Sequence, residues 1–451
     1  MEERKERYPG IVPKAKRRGD AQGEWAFSVK DHWRWVEPTV WTERMLKALE
    51  EGVKGGKWHS LIDKVYSERN LRAAFERVKR NKGSAGVDHV RVEAFEKRLD
   101  ANIEKLQRVL KDGTYHPQAV KRSWIPKPGS KEKRPLGVPT VRDRVVQTAL
   151  RNVLEPIYER DFAEHSYGFR PNRSCKDALR CVNELLDAGY THVVDADIQG
   201  YFDAISHERL MALVWKKVAD RRIRELVQCF LDQDVMDGLK HWTPESGTPQ
   251  GAVISPLLSN IYLDTLDHHM ASQGIEMVRY ADDLVLLCRS EANAEHALEL
   301  LQGWMAQAAL QLHPEKTRVV DHGAGEGFTF LGYEFQRGRH WVSKKSMKGI
   351  RSKIRAKTRR TPGMSLERII GELNPILRGW FEYYQHSRPR SLQKVDGYTR
   401  MRLRSILRKF NHGRGVGRGL DHVRWPNAYF TANGLFCLEQ AHTQTLQSSR
   451  R

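Results

Sequence analysis

Cysteine is scarce. The 451 residues contain five, Cys175, Cys181, Cys229, Cys288 and Cys437, odd in number, scattered and nowhere spaced as Cys-x-x-Cys. That argues against a disulfide framework and against a zinc site, and for a reducing, cytoplasmic setting. Long apolar runs are missing too: nothing approaches the roughly 20 consecutive residues of a membrane span. The opening stretch, Met1 to Gly10, lacks the apolar core of a secretory signal. His313 and His322 have no partner at a metal-binding spacing, and no internal repeat is visible. What remains is 39% hydrophobic and 29% charged residues, enough for two or three domains with proper cores.

Charge is the informative excess, at 77 Lys+Arg against 56 Asp+Glu. From Arg337 onward there are 26 Lys+Arg and 6 Asp+Glu, which leaves 51 against 50 for the first 336 residues. A near-neutral body followed by a basic segment suits a part that does chemistry joined to a part that holds a polyanion. Trp380, Phe381, Tyr383 and Tyr384 lie in the basic part, so it reads as folded.

Periodicity gives a coarse map. Residues 1–57, with Trp33, Trp35 and Trp41, show no clear period and read as a leader. A helical pattern from His59 carries Leu61, Val65, Leu71, Phe75 and Val78, broken by the turn-rich Asn81 to Gly86. Trp124-Ile-Pro-Lys-Pro-Gly129 is strand-like and leads into a basic hairpin. A helix over 143–158 has Val146, Ala149, Leu150 and Val153 on one face. The centre then alternates: strand 192–198, helices 208–218 and 222–231, a turn at Gly247 to Gly251 and helix 255–266. Two strands about a tight turn come next over 275–288, then helix 292–312 and strand 328–335. This is an α+β pattern on an antiparallel sheet flanked by helices. Beyond Trp341 come helices over 344–360, 365–385 and 395–410, with Pro375 expected to kink or split the second.

Two acidic strand ends stand out. Asp195-Ala-Asp197-Ile-Gln-Gly-Tyr-Phe202-Asp203 closes an apolar strand, and Tyr280-Ala-Asp282-Asp283 sits at a hairpin tip. Strand alternation puts Asp195 and Asp197 on one face. Adjacent carboxylates repel unless solvated, protonated or neutralised by a cation. Brought side by side, two such ends make a hard-oxygen pocket suited to Mg²⁺. Alone, an Asp-Asp pair is more often a solvated turn. Asp195 reads as the partner of a basic residue on the same face, and Asp203 as structural.

Around these ends lie Arg134-Pro-Leu-Gly-Val-Pro139, Ser166-Tyr-Gly-Phe-Arg-Pro171, Gly247-Thr-Pro-Gln250-Gly251 and Leu312-His-Pro-Glu-Lys316. Phe330-Leu-Gly-Tyr333, Leu377-Arg-Gly-Trp-Phe-Glu-Tyr-Tyr384 and Arg424-Trp-Pro-Asn427 come after them in order. Together they resemble the reverse transcriptase/maturases encoded in bacterial group II introns. The resemblance implies a right-hand polymerase with fingers and palm over 58–340, a helical thumb (maturase, or X, region) over 341–392, and a small basic DNA-binding-like region over 393–451. Such proteins often end in a His-Asn-His nuclease domain with paired zinc-binding cysteines, and none is expected here.

The resemblance also implies roles. Asp197, Asp282 and the carbonyl of Ile198 would hold two Mg²⁺ ions, with Asp283 beside them in the catalytic group. Phe202 would lie under the sugar of the incoming deoxynucleoside triphosphate, Gln250 would contact that nucleotide, and Lys127 and Arg134 would hold its triphosphate. Lys344, Lys345, Lys348, Arg351, Lys353 and Arg355 would grip nucleic acid by its backbone. Implied partners are an RNA template with a DNA or RNA primer, group II intron RNA and a DNA target, with no membrane and no zinc. Alternatives are the same polymerase serving defence, spacer acquisition or DNA repair, or a splicing-only RNA-binding cofactor. The bland readings are a core aromatic for Phe202, a turn amide for Gln250 and solvated charges for the basic residues.

Overall fold

The computed structural model describes residues 32–126, 133–360, 363–413, 415, 417 and 419–448. Lys127 therefore lies outside the described residues. The fold is mixed helix and sheet, and it divides into two compact units. The first runs to Pro126 and from Lys133 to Asp321; the second begins at His322.

The first unit is organised about the helix Val141–Glu159, which is buried on almost every side rather than on one face. Its buried polar side chains are tied in. Asp143 accepts from Tyr115 Oη at 2.6 Å and from Thr140 Oγ1 at 2.7 Å. Asn152 donates to Asn70 Oδ1 at 2.8 Å. The stretch read as a leader supplies core: Trp33, Val36, Val40 and Trp41 are buried, and Trp41 Nε1 donates to the Asn152 carbonyl at 2.9 Å. These aromatics precede the short helix Glu43–Glu51 instead of lying on it, so no helical period marked them.

Two sheets shape this unit. The first has strand order β2-β1-β4-β5, from β1 (Val120–Pro126), β2 (Lys133–Val138), β4 (Val235–Asp237) and β5 (Lys240–Trp242). The second has order β6-β7-β3-β8, from β3 (His192–Asp197), β6 (Glu276–Tyr280), β7 (Asp283–Cys288) and β8 (Arg318–Asp321), and all its pairs are antiparallel. The helices Ser255–Ser272 and Glu291–Gln307 pack on this sheet. The alternation of β3, with Val194 and Ala196 buried and Asp195 and Asp197 partly exposed, leaves the acidic side chains on the other face. A helix the periodicity did not announce, Cys175–Asp187, packs against β6 and opens on a capping box of Ser174 and Asp177.

In the second unit β9 (Gly327–Phe330), β10 (Tyr333–Gln336) and β11 (Arg339–Val342) form an antiparallel meander. The single strand expected over 328–335 is two strands joined by Leu331-Gly332, both at positive φ (49° and 77°), the sign pattern of a type I′ hairpin turn. The helices Lys344–Lys357, Leu366–Tyr384 and Pro389–Phe410 come next. Of the kink or split expected at Pro375, the split is not there: the helix runs on through it. Pro375 and Gly371, four residues earlier, are both exposed, so water can take the carbonyl that the ring leaves without a donor, while Leu373 and Leu377 stay buried. The meander is fastened to these helices, with Tyr333 Oη donating to the Tyr383 carbonyl at 2.8 Å and Tyr383 Oη to that of Leu331 at 3.0 Å. Composition shifts near residue 341, but packing divides the chain at 321/322. No described helix is long and apolar enough to cross a membrane.

Leu373 is fully buried in the second unit's core, whereas Leu239 is fully exposed. Leu373→Ala should cost about 2–5 kcal/mol in a denaturant titration, and Leu239→Ala less than about 0.5 kcal/mol.

Candidate active site

The register of β3 and β7 places Asp197 directly opposite Asp283, so Ile198 lies level with Asp282. The Asp197 carbonyl accepts from His313 N at 2.7 Å, and Gln199 N donates to the Gln311 carbonyl at 2.8 Å. Alternate residues of an antiparallel strand turn their main-chain groups to opposite neighbours. Residues 197 and 199 thus face the 311–313 segment, and the Ile198 carbonyl turns to the side on which Asp282 stands. Asp197 and Asp282 thus stand at adjoining strand ends, near enough for the charge of one to act on the other. The Asp282 carboxyl is held above its ordinary value, first by burial and further by the charge of Asp197, against the opposing pull of its own backbone amide, Arg134 and Arg279. Lys316 Nζ lies 2.8 Å from Asp197 Oδ2, both half exposed. Asp195 faces Arg318 across β8 at 3.7 Å, in the structural role expected of it.

The tip carrying Asp282 is held from beneath. Ala281 adopts φ 60°, an unfavourable left-handed conformation for a residue with a Cβ. Arg279, fully buried, donates to the Ala281 carbonyl at 2.8 Å, to Asn260 Oδ1 at 3.1 Å and to Ser166 Oγ at 2.7 Å. Its Nε donates to Asp267 Oδ1 at 2.7 Å, and Nη2 completes a bidentate pair with that carboxylate. Tyr167 N donates to the Arg279 carbonyl at 2.9 Å, and Asn260 holds the Gly168 carbonyl at 2.8 Å. A Cβ on Gly168 would lie 2.1 Å from Ala281 N, so only glycine fits there. The Ser166-Tyr-Gly stretch is thereby a brace for the hairpin.

On the other side, Phe202 is half-buried, packed on the core with its ring 5.5 Å from Tyr201. The Phe202 carbonyl accepts from Thr248 N at 2.7 Å, and a Cβ on Gly247 would strike Asp203 Cα at 2.8 Å. Asp203 is thus packed under the Gly247 turn, and its carboxyl is raised by burial, with Arg122 pulling it back. The Gln250 carbonyl accepts from Gly137 N at 2.6 Å, fastening the Gln250 loop to β2, the strand that bears the exposed Arg134. Main-chain bonds thus link the Phe202 segment to the Gly247 turn and the Gln250 loop to β2, and Arg134 is near enough to Asp282 for its charge to act on it.

Among the described residues no cluster of three or more His, Cys, Asp or Glu side chains is arranged to hold a metal. The ligand set expected here does not need one. It consists of two carboxylates and a main-chain carbonyl, and the strain between the two acids is what a divalent cation relieves.

In the second unit, Lys344, Lys348, Arg351 and Arg355 form one stripe of their helix. They line a groove of about 550 Å³ with Lys394 and Tyr398. Arg351 lies over the Tyr398 ring at 5.6 Å. Lys345 and Lys353, expected with them, are exposed but do not line the groove, since their helical phase turns them away. A second cleft gathers Arg355, Arg359, Arg360 and Arg402.

The model of the reverse transcriptase (RNA-dependent DNA polymerase) family matches residues 125–335, and that of the group II intron maturase-specific domain matches 347–418. Group II intron-encoded protein LtrA of Lactococcus lactis subsp. cremoris is 38% identical over 224 residues, 49% of this chain and 37% of that one. Protein YkfC of Escherichia coli (strain K12) is 33% identical over 296 residues, 56% of this chain and 76% of the other. The putative COX1/OXI3 intron 2 protein of Saccharomyces cerevisiae is 25% identical over 398 residues, 74% and 45% respectively. The chain belongs to the group II intron-encoded reverse transcriptase family. Its match spans little more than a third of the length of LtrA.

Family membership sorts the residues. The reverse transcriptase match takes in Arg134, Asp197, Ile198, Phe202, Gln250, Asp282 and Asp283; the maturase match takes in most of the basic groove. Sequence reading missed Arg279 and Asp267 of the brace, and Lys394 and Tyr398 of the groove. An arginine between apolar strand residues, Val278 and Tyr280, was the available signal for the brace. Lys394 and Tyr398 are brought to the groove only by helix packing.

Arg279→Ala should lower stability by about 3–5 kcal/mol, because it leaves Asp267 charged, buried and unpaired. Arg279→Met with Asp267→Leu should recover most of that in the same denaturant titration. Asp282 binds a proton more tightly folded than unfolded, so its contribution to stability is present in acid and lost as pH rises through its elevated folded value. In metal-free buffer Asp282→Asn should therefore melt higher than wild type at pH 7. That gain should vanish as pH falls to the ordinary carboxylate value of 3.8.

Proposed function

We propose that the chain is an RNA-directed DNA polymerase and that it also binds group II intron RNA as a maturase. The observation that supports the reading is that Asp197, opposite Asp283 at adjoining strand ends, is near enough for its charge to act on Asp282. Asp197, the Ile198 carbonyl and Asp282 would hold two Mg²⁺ ions, which when bound activate the primer 3′-hydroxyl and stabilise the leaving pyrophosphate. Asp283, opposite Asp197, shapes the charge around them. Arg134 and Lys127 hold the triphosphate of the deoxynucleotide, and Gln250 contacts it. The Phe202 ring, set edge-on against Tyr201, lies under the sugar and collides with a 2′-hydroxyl. That selects deoxynucleotides.

In this reading the first unit provides fingers and palm. The helices after residue 341 provide the thumb, and the region from 393 onward contacts target DNA. The stripe of Lys344, Lys348, Arg351 and Arg355 holds phosphates of the template–primer or of intron RNA, by charge and shape rather than by base. Lys345 and Lys353 add to the general positive field. The RNA template, the DNA or RNA primer and the intron RNA are all polyanions, in keeping with the charge of this part of the chain.

The test is primer extension on an RNA template with Mg²⁺ and deoxynucleotides. Asp197→Ala and Asp282→Ala should each lower the rate by roughly a thousandfold or more, and Phe202→Ala should admit ribonucleotides. Millimolar Mg²⁺ should raise the melting temperature of wild type but not of Asp282→Asn. Wild-type extension no faster than that of Asp282→Ala would overturn the polymerase reading.

A further inference from the structure

The sheet of β1, β2, β4 and β5 carries a feature that the nucleotide site does not use. Arg122 lies between two indoles, 5.6 Å from the ring centre of Trp124 and 4.7 Å from that of Trp242. Arg122 and Trp124 are alternate residues of β1, and the register Val120–Val235–Trp242 brings Trp242, two strands away on β5, to the same face. Trp124 is 47% exposed, an unusual position for the largest apolar side chain. It is also held: its Nε1 donates to Asp237 Oδ2 at 3.1 Å, which fixes the plane of the ring.

The location is specific. Arg122 pairs in register with Gly137, and directly paired residues share a face of the sheet. A Cβ on Gly137 would lie 3.3 Å from Pro249 Cβ, so the Gln250 loop covers the inner end of that face. Arg122 also acts on Asp203, the neighbour of Phe202. The aromatic–arginine face therefore starts where the proposed nucleotide site ends.

From this we infer that Trp124, Arg122 and Trp242 form a stacking platform for unpaired template nucleotides, those just 5′ of the base being copied. The inference rests on the polymerase reading. Flat rings with a planar cation between them suit the faces of nucleobases of any sequence, as a copying enzyme requires. Bases inside a duplex have no free face to offer, and in a template–primer the unpaired bases next to the site are those not yet copied. A purely structural role, with the stack bracing the sheet, would show in stability and not in any dependence on unpaired nucleotides.

The test is binding of the full chain to a labelled RNA-template duplex, blunt or with a three-nucleotide 5′ template overhang, read by fluorescence anisotropy. The overhang should tighten binding by wild type about tenfold. Trp124→Leu and Trp242→Leu, which keep bulk but remove the ring, should lose most of that gain and bind blunt duplex as wild type does. Trp124→Phe should keep it, which separates stacking from folding. A DNA overhang should serve as well as RNA, since ring faces are common to both. The platform is overturned if the overhang brings wild type no gain, if the gain survives both leucine variants, if they weaken blunt binding equally, or if only RNA gives it. No deoxynucleotide is present, so a failure of primer extension would count against the polymerase reading and leave this result standing by itself.

Discussion

A guanidinium sealed in the first unit holds the candidate site together. Arg279 carries a full charge with essentially no exposure to water, a placement costing several kcal/mol unless every donor is matched. Here the matching is complete in kind: a bidentate carboxylate from Asp267, an amide oxygen from Asn260, a hydroxyl from Ser166 and the carbonyl of Ala281. The last of these bears on function. Ala281 lies in the left-handed region, and the buried arginine holds it there, so the turn that presents Asp282 is fixed by a charge network and not by its own preference. Gly168 belongs to the same arrangement, because any side chain at that position would lift the hairpin off its support.

Much of this site was legible in the sequence because strands advertise their faces. Apolar alternation ending in Asp197, and two apolar runs flanking Tyr280 to Asp283, fix which side chains share a side and where the chain turns back. The register then has little freedom. A slip of one residue between β3 and β7 would send Val194 and Ala196 to the acidic face. Alternation supplied the faces; that the two carboxylates, 85 positions apart, serve one site was what the resemblance implied. Alternation also carried Asp195 to a basic partner, found in Arg318.

Other parts were illegible for identifiable reasons. The run from Phe328 to Phe335 reads as one strand until its phase is followed. Phe328 and Phe330 are buried on even positions, Tyr333 and Phe335 on odd ones, and the slip between them is the turn at Leu331-Gly332. Trp41 had no local period because its burial is decided by the distant helix Val141–Glu159, whose Asn152 carbonyl takes its indole N–H. That helix, buried all round with its polar groups bonded in the interior, looked one-sided because amphipathicity counts polar residues as outward. The basic groove shows the same limit. Nine cations from Lys344 to Arg360 look alike in sequence, and packing against Pro389–Phe410 decides which four share a cleft with Lys394 and Tyr398.

The uneven distribution of charge along the chain has a consequence for the acidic pocket. A carboxylate pair gains from a divalent cation only to the extent that nothing else has already neutralised it, and here Lys316, 2.8 Å from Asp197, is the local cation with which a metal competes. Were the first 336 residues as basic as the remainder, their summed positive field would offset the acidic pocket and the demand for metal would fall. With 51 basic against 50 acidic residues, that background is almost absent, and Asp282 feels mainly its burial, its own backbone amide, Asp197 and two arginines. The phosphate-neutralising excess is kept in the 26 Lys+Arg from Arg337 onward. There it can raise affinity for a polyanion without weakening the acid–acid repulsion on which metal binding draws. Placing the two kinds of charge in different parts of the chain lets each be strong.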